Sequence, residues 1–422
     1  MAQLSDDCFA FSGPLLRLDD MERLIAERIA PVAETDRVPL ASARGRVLAD
    51  DVVAAVDLPP FDNSAVDGYA VRHADLKSDA DTRLAISGRL TAGAGEPLSL
   101  GAGNAIRIFT GAAMPKGADT VFMQEDVTTD GDAVVVPKGL KRGANRRAAG
   151  EDVVKGAVAL SAGTVLEPQH IALAAALGVA DVDVRRPVKV AIFSTGDEVV
   201  EPGSSLPRAG VYDANRYLLR ELLERLGARV TDLGILADDP ASLAMALRAA
   251  AAQHDLVVTS GGVSTGEADY VRDAVAQIGS LVFWRVAIKP GRPVALGVIR
   301  GESGSAAFVG LPGNPVAVFV TFVRVVKVLL RRLSGASPQR LLPLPVRAGF
   351  AYKKKKDRRE YVRVALRRGA DGELEAVKHP QDGAGILTSL TQTDGLLEFS
   401  EETTSIARGD RVGFLSYAVL MD

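Results

Sequence analysis

Apolar residues recur at helical spacing between positions 15 and 33. Leu15, Leu18, Met21, Leu24, Ile25 and Ile29 fall on one face, which predicts an amphipathic helix. The texture changes at 52. From there to 144, short β-like runs such as "RLAISGRLTAGAG", "AIRIFTG", "TVFMQED" and "DAVVVPKG" are split by Gly, Pro, Asp and Asn, the pattern of a small all-β module. Residues 145–186 mix strand with short helix. From 188 the alternation is regular. "VKVAIFST" reads as a strand and "NRYLLRELLERLG" as a helix closed by Gly227. "RVTDLGIL" and "DLVVTS" are strands, followed by the helices "PASLAMALRAAAAQ" and "EADYVRDAVAQIG". "LVFWRVAI", "PVALGVI" and "AAFVGL" are further strands, and "PVAVFVTFVRVVKVLLRRL" is a long last helix. This order predicts an α/β domain, a mostly parallel sheet with helices on both faces. After "SGASPQ", residues 340–422 return to short alternating strands, a second β module.

Composition narrows the class. With 422 residues the chain is long enough for two to four domains. Apolar residues are 47% and charged residues 24%, ordinary for a globular protein. The net charge of −3 gives no electrostatic signature of nucleic-acid binding. The single cysteine, Cys8, excludes an internal disulfide framework, and His73, His170, His254 and His379 show no metal-ligand spacing. The acidic start "MAQLSDDCFA" lacks a signal peptide's apolar core. The longest apolar stretch is interrupted by Arg324 and Lys327, which argues against a membrane span. A cytoplasmic protein is expected.

Candidate chemistry collects where an open parallel sheet binds ligands, beyond the carboxyl ends of its strands. The first strand is followed by Ser194-Thr195-Gly196-Asp197-Glu198 and the second by Asp238-Asp239-Pro240. The third is followed by Ser260, Gly261, Gly262, Val263, Ser264, Thr265 and Gly266. Lys289-Pro290-Gly291-Arg292-Pro293 and Pro312-Gly313-Asn314-Pro315 complete the rim. "GGVSTG" is not a standard nucleotide motif, but a glycine turn opening a helix presents backbone N–H groups to an anion. Ser264 and Thr265 add hydroxyl donors, and Thr265 also suits a helix cap. Glu267 and Asp269 stand two apart, so on one helix they do not face each other. One is first-turn charge favoured by the helix dipole and the other projects into the cleft; spacing does not choose between them. Glu198, Asp238 and Asp152 add acids on or near the rim, and clustered carboxylates suit Mg²⁺ beside a phosphate. Lys289, Arg292 and Arg285 can neutralise an anion directly. "LPPFDNSAVDGYAVR" is a second dense turn, and "IFTGAAMP" places Thr110 in similar company. The one basic run, "YKKKKDRREYVRV", reads as a solvated turn or as a wall for an anionic ligand.

Seven motifs in order, "FDNSAVDGYAVR", "IFTGAAMP", "RRAAGEDV", "STGDEV", "TSGGVSTGEADYVR", "KPGRP" and "LPGNPVA", resemble the molybdopterin molybdenumtransferase family, the MoeA-type proteins that also form the E domain of gephyrin. The resemblance covers nearly the whole chain. It implies an elongated domain in two segments, 1–55 and 145–186, with a β module inserted at 56–144. It implies a molybdopterin-binding α/β domain at 187–335 and a β-barrel-like domain at 336–422. It also implies an elongated homodimer whose cleft lies between the central domain of one subunit and the inserted module of the other. The implied reaction inserts molybdate into adenylylated molybdopterin with Mg²⁺ and releases AMP.

Carried onto this sequence, the resemblance makes Asp269 the essential acid, with Glu198, Asp238 and Asp152 as further catalytic acids. Glu198, Asp238 and Asp269 would hold the metal. The substrate would meet Gly261, Gly262, Ser264, Thr265, Gly266, Lys289, Arg292, Pro312 and Pro315. Arg147, Arg358 or Arg359, and Ser389 belong to the same binding set, while Asp67 and Thr110 would come from the partner subunit. Adenylyltransferase and molybdoenzyme partners are implied, and neither nucleic acid nor membrane is. Four positions depart from the family pattern: Thr265 for valine, Arg292 and Arg285 for lysine, and Ala317 for serine. An adenylyltransferase of the same pathway, a gephyrin-like scaffold and a tungsten-selective paralogue are the competing readings.

Overall fold

A computed structural model describes residues 4, 15–94, 98–261, 270–291 and 293–422. Among these the chain forms three six-stranded sheets joined by short two-stranded ribbons. The N-terminal helix, Leu18–Arg28, buries Leu18, Met21 and Ile25 on its apolar stripe. Asp19 and Asp20 sit in its first turn and Arg28 in its last, the favourable order for the helix dipole. Beyond it, strand Thr35–Pro39 pairs antiparallel with Asp181–Arg185, and Val52–Val53 pairs with Val158–Leu160. Segments far apart in sequence thus share one small core, built around Leu48, Leu160, Leu166 and Val184.

Between them lies the inserted module. Its base is a two-residue ribbon, Asn63–Ser64 against Arg146–Arg147. Above it the sheet runs in the order Thr120–Met123, Gly68–Val71, Asn104–Ile108, Thr82–Leu90, Ala133–Val136, Thr128–Asp130. Strand residues alternate between two apolar clusters, Tyr69 and Val71 in one and Ala70 in the other, as a period of two requires. Gly68 is obligatory: a Cβ there would lie 1.7 Å from the Phe122 carbonyl oxygen.

The central sheet has the order Arg229–Leu236, Lys189–Thr195, Leu256–Ser260, Ser305–Leu311, Pro293–Arg300, Gly279–Arg285. The first four are parallel, and the last two pair antiparallel to their neighbours. Lys189–Thr195 shows why the run reads as buried on both sides. Val190 and Ile192 pack with helix Asn215–Arg225 and the last helix, while Ala191 and Phe193 pack with helices Pro240–Ala251 and Tyr270–Ile278.

The last helix is α-helical over Pro315–Thr321, takes a π-turn over Phe322–Val326 and resumes over Lys327–Leu333. Among the described residues no helix is long and apolar enough to cross a membrane. Arg324 and Lys327 do not turn the helix toward water, however; both are buried.

The C-terminal domain closes on itself. Strand Arg359–Arg368 pairs with Leu374–Lys378 and Gly395–Phe399, and Leu344–Ala348 and Arg411–Ser416 complete a five-stranded ring. Ile288–Lys289 from the central domain adds in parallel to the start of that first strand, pairing with Arg359 and Glu360. The fold therefore anchors the "KPG" turn to the barrel.

Candidate active site

The rim begins at Thr195, the last residue of its strand. Gly196 follows with φ +134°, and a Cβ there would come within 2.8 Å of a Glu198 carboxylate oxygen. Glycine lets the chain turn sharply enough to bring exposed Glu198 back over the strand end. On the neighbouring strand the two consecutive acids have separate tasks. Asp239 caps helix Pro240–Ala251, accepting the Ser242 N–H at 2.8 Å, and these Ser242 contacts hold its carboxyl below the usual range. Asp238 instead accepts a hydrogen bond from the Thr195 hydroxyl. Asp238 and Glu198 thus flank one strand end.

Gly261 opens the third turn in the left-handed region, φ +84°, and donates to the Leu311 carbonyl at 3.0 Å. Gly262, Ser264, Thr265, Gly266, Glu267, Asp269 and Arg292 lie outside the described residues. The "LPGNP" turn is held at two points. Asn215 donates to the Gly313 carbonyl at 2.7 Å, and the Val316 N–H bonds Ala384 of the C-terminal domain at 3.0 Å. Pro312 and Pro315 are half-buried in this turn. Three buried polar atoms at this end of the sheet have no hydrogen-bond partner among the described residues: Ser194 Oγ, Thr259 Oγ1 and Asn215 Oδ1. Ser194 follows the face of Val190 and Ile192, and Thr259 the opposite face of Val257 and Phe193, so these atoms lie on both sides of the sheet.

Lys289 has its ammonium 3.3 Å from Glu360, which is 1% exposed. Glu360 also accepts from Arg358 Nε at 2.7 Å and from the Tyr352 hydroxyl at 2.9 Å. Burial and the Glu360 bond both push the Tyr352 phenol upward, so it stays protonated and donates. This group borders a cavity of about 240 Å³ between the "KPG" turn and the barrel, with Arg363, Asp382 and Ala384 on the far wall. Arg359 takes the other side of the strand. It pairs with Glu401 at 3.1 Å, Glu398 at 3.2 Å and Asp19 at 3.6 Å, so Arg358 is the arginine brought to Lys289. Ser389 is fully buried and its hydroxyl donates to the Ile386 carbonyl, turned into its own domain.

The inserted module contributes a separate group. Asp67 accepts from the Thr110 N–H at 2.8 Å and its hydroxyl at 2.7 Å, and both bonds hold its carboxyl below the usual range. Arg147 and Asp152, just past the end of the insert, are exposed. Among the described residues no hydrogen bond or ion pair joins these four to the central rim.

Comparison with known proteins decides the relationship. Residues 16–178 match the MoeA N-terminal region (domain I and II), 191–332 a probable molybdopterin binding domain, and 345–417 the MoeA C-terminal region (domain IV). A molybdopterin molybdenumtransferase from Haemophilus influenzae is 37% identical over 94% of this chain and 98% of its own. The chain belongs to the molybdopterin molybdenumtransferase family. Molybdopterin molybdenumtransferase 2 from Mycobacterium tuberculosis is 32% identical over 94% of this chain and 98% of its own. The crystal structure of the molybdopterin biosynthesis moeA protein from Pyrococcus horikoshii superposes with a TM-score of 0.78 at 31% identity, covering 96% of this chain and all of that one.

Within this family member, the residues that sequence reasoning missed are Glu360, Tyr352 and Asn215. Glu360 was hidden in the basic run, where charge counting favoured a turn or a wall. Its signal is one acid among strand-forming residues, "REYVRV", a buried charge needing partners. Asn215 sits at a helix start, where asparagine is ordinary, so nothing in the sequence marked its bond to Gly313.

The Mg²⁺ expected beside the rim would find two donors among the described residues, Glu198 and Asp238. Among the described residues no group of three or more His, Cys, Asp or Glu is gathered there. Two carboxylates suffice, because Mg²⁺ characteristically keeps waters and takes substrate phosphate oxygens for the rest of its shell.

Proposed function

We propose that the rim of the central sheet binds adenylylated molybdopterin and transfers molybdate to it, releasing AMP with the help of Mg²⁺. The family sets the frame, and the chain is a transferase of molybdenum cofactor biosynthesis. What supports the finer reading is the strand end where Thr195 bonds Asp238 and the Gly196 turn brings Glu198 back over the strand. Glu198 and Asp238 would hold Mg²⁺, which supplies positive charge for the phosphates. Lys289, steadied by buried Glu360, presents its remaining N–H donors to an anion, and Arg358 adds a second cation. Asn215 fixes the "LPGNP" turn, which forms the opposite wall. Asp67 and Thr110, with Arg147 and Asp152, complete the cleft from a second subunit of a cytoplasmic homodimer, the arrangement that explains why they stand apart from the rim of their own chain. Asp269 is the essential acid of the glycine turn.

The test uses purified protein, adenylylated molybdopterin, Mg²⁺ and either molybdate or tungstate, with AMP and metal-loaded cofactor as readouts. Asp238→Asn and Asp269→Ala are each expected to slow both at least ~100-fold, the scale of losing one well-placed charged group at a reacting centre. Thermal stability should be unchanged. Wild-type rates in both variants would remove the rim from the mechanism.

A further inference from the structure

The last helix carries a second group of cations well away from the rim. Arg324, Lys327 and Arg331 lie about 14 to 24 Å along the helix axis from Pro315, at 1.5 Å per residue. They border a cavity of about 300 Å³ enclosed by the N-terminal helix, the connector at 336–341 and the barrel strands bearing Arg359 and Glu398. That volume lies within the range that holds small organic molecules.

These cations are poorly satisfied. The Arg324 side chain is only 7% exposed, yet its nearest carboxylates, Glu22 and Glu398, stand at 3.6 and 4.0 Å. Its guanidinium stands 5.8 Å over the Tyr361 ring, but it donates no hydrogen bond to a described residue, its buried Nε included. Glu398 is already committed, accepting from Arg359 at 3.2 Å and the Tyr361 hydroxyl at 2.9 Å. Lys327 is 3% exposed and among the described residues donates only to the carbonyls of Leu420 and Val419, at 3.0 and 3.4 Å. Arg331 bonds the Ser337 carbonyl at 2.8 Å, while its buried Nε is unpaired. Among the described residues no carboxylate lies within 4 Å of Lys327 or Arg331. Buried cations normally come with acceptors, because desolvating them otherwise costs several kcal/mol. Arg332, Arg340 and Arg359 add cations to the lining, so its six basic residues outnumber the three acids Asp19, Glu22 and Glu398, and Ile25, Val323, Val328 and Leu341 supply an apolar wall.

We propose that this cavity binds a small organic anion, a carboxylate or phosphate monoester on a compact apolar body. Its oxygens accept from Arg324, Lys327 and Arg331, and its body lies against Val323, Val328 and Leu341. The site is separate from the rim. It sits where the N-terminal helix, the central domain and the barrel meet, so an occupant braces all three.

Phenyl phosphate, inorganic phosphate and the uncharged benzyl alcohol test this by isothermal titration on the full-length protein. Phenyl phosphate is expected to saturate one site per chain and to bind more tightly than inorganic phosphate, with benzyl alcohol silent. Arg331→Gln, at a half-buried position that tolerates substitution, should weaken phenyl phosphate about tenfold or more, the loss of a charge-assisted hydrogen bond. Arg324→Gln should do the same, and Asp238→Asn on the rim should leave the affinity unchanged. The proposal fails if no saturable binding occurs up to about 10 mM, near the weakest specific affinity worth the name. It also fails if Arg331→Gln binds as the wild type does.

Discussion

Two arginines are buried among the described residues of the central domain, and they are treated very differently. Arg216, 4% exposed, is caged: Nε bonds Asp213 at 2.9 Å, one Nη bonds Asp232 at 2.5 Å and the other bonds Glu201. Arg324, 6% exposed, has carboxylates only at 3.6 and 4.0 Å and no hydrogen bond to a described residue. Similar burial hides opposite roles. A caged guanidinium is part of the framework, tying the loop at Asp213 to the sheet at Asp232. An open one faces a cavity and keeps its donors for something else. Burial alone therefore does not distinguish structure from site; the completeness of the partner set does.

The largest expected effect tests this contrast directly. Arg216→Met leaves Asp213, whose side chain is 2% exposed, as an uncompensated buried charge, and should destabilise the protein by about 3–5 kcal/mol in urea unfolding. Arg324→Met removes a charge held by longer contacts to Glu22, Glu398 and the Tyr361 ring, and should cost clearly less than Arg216→Met. Equal losses would erase the distinction between cage and open cation.

Lys327 sharpens the comparison through pH. Burial holds its ammonium down to about 8, with Arg331 pushing the same way, Asp422 opposing and Arg324 adding to the depression. The folded pKa lies below the unfolded value of 10.5, so the charged lysine weighs against folding. That penalty is full below about pH 8 and fades as pH rises toward 10.5, so this residue makes stability increase across that window. Lys327→Met should flatten this rise; parallel pH profiles for variant and wild type would show that Lys327 does not titrate there.

The smallest effect is on the inserted module. Thr110→Val keeps the backbone bond to Asp67 and removes the hydroxyl bond. The Asp67 carboxyl should titrate higher than in the wild type but still below an ordinary aspartate, followed by carboxyl-carbon NMR. An unmoved titration would mean that the hydroxyl contributes nothing.

Much of the central domain was legible because its signals are local. "VKVAIFST" is apolar on both faces and is covered on both faces. Gly227 ends its helix as its position suggests, with φ +79°. Rim acids Glu198 and Asp238 followed from the strand-end rule, which needs only the order of elements. What could not be read depends on distant partners. Nothing near Thr35 announces its pairing with Arg185, and no residue of Arg359–Arg368 shows that Gly395–Phe399 closes the barrel. Arg324 and Lys327 show the same limit from the other side. In sequence they look like interruptions of an apolar run, and in the fold they are inside it. Arg358 and Arg359 are neighbours in sequence, but Arg358 turns to Glu360 beside Lys289 while Arg359 turns to Glu398 and Glu401.

The ribbon of Asn63–Ser64 and Arg146–Arg147 has a consequence for how such a chain can change over time. The eighty-odd residues between its strands leave the two-segment domain and return to the spot they left. Lengthening or shortening that excursion adds little closure entropy, because the cost grows only logarithmically with length. The insert is therefore a detachable cassette. Its loops and even its sheet can be remodelled while the domain that carries it keeps its path, its pairing and its core.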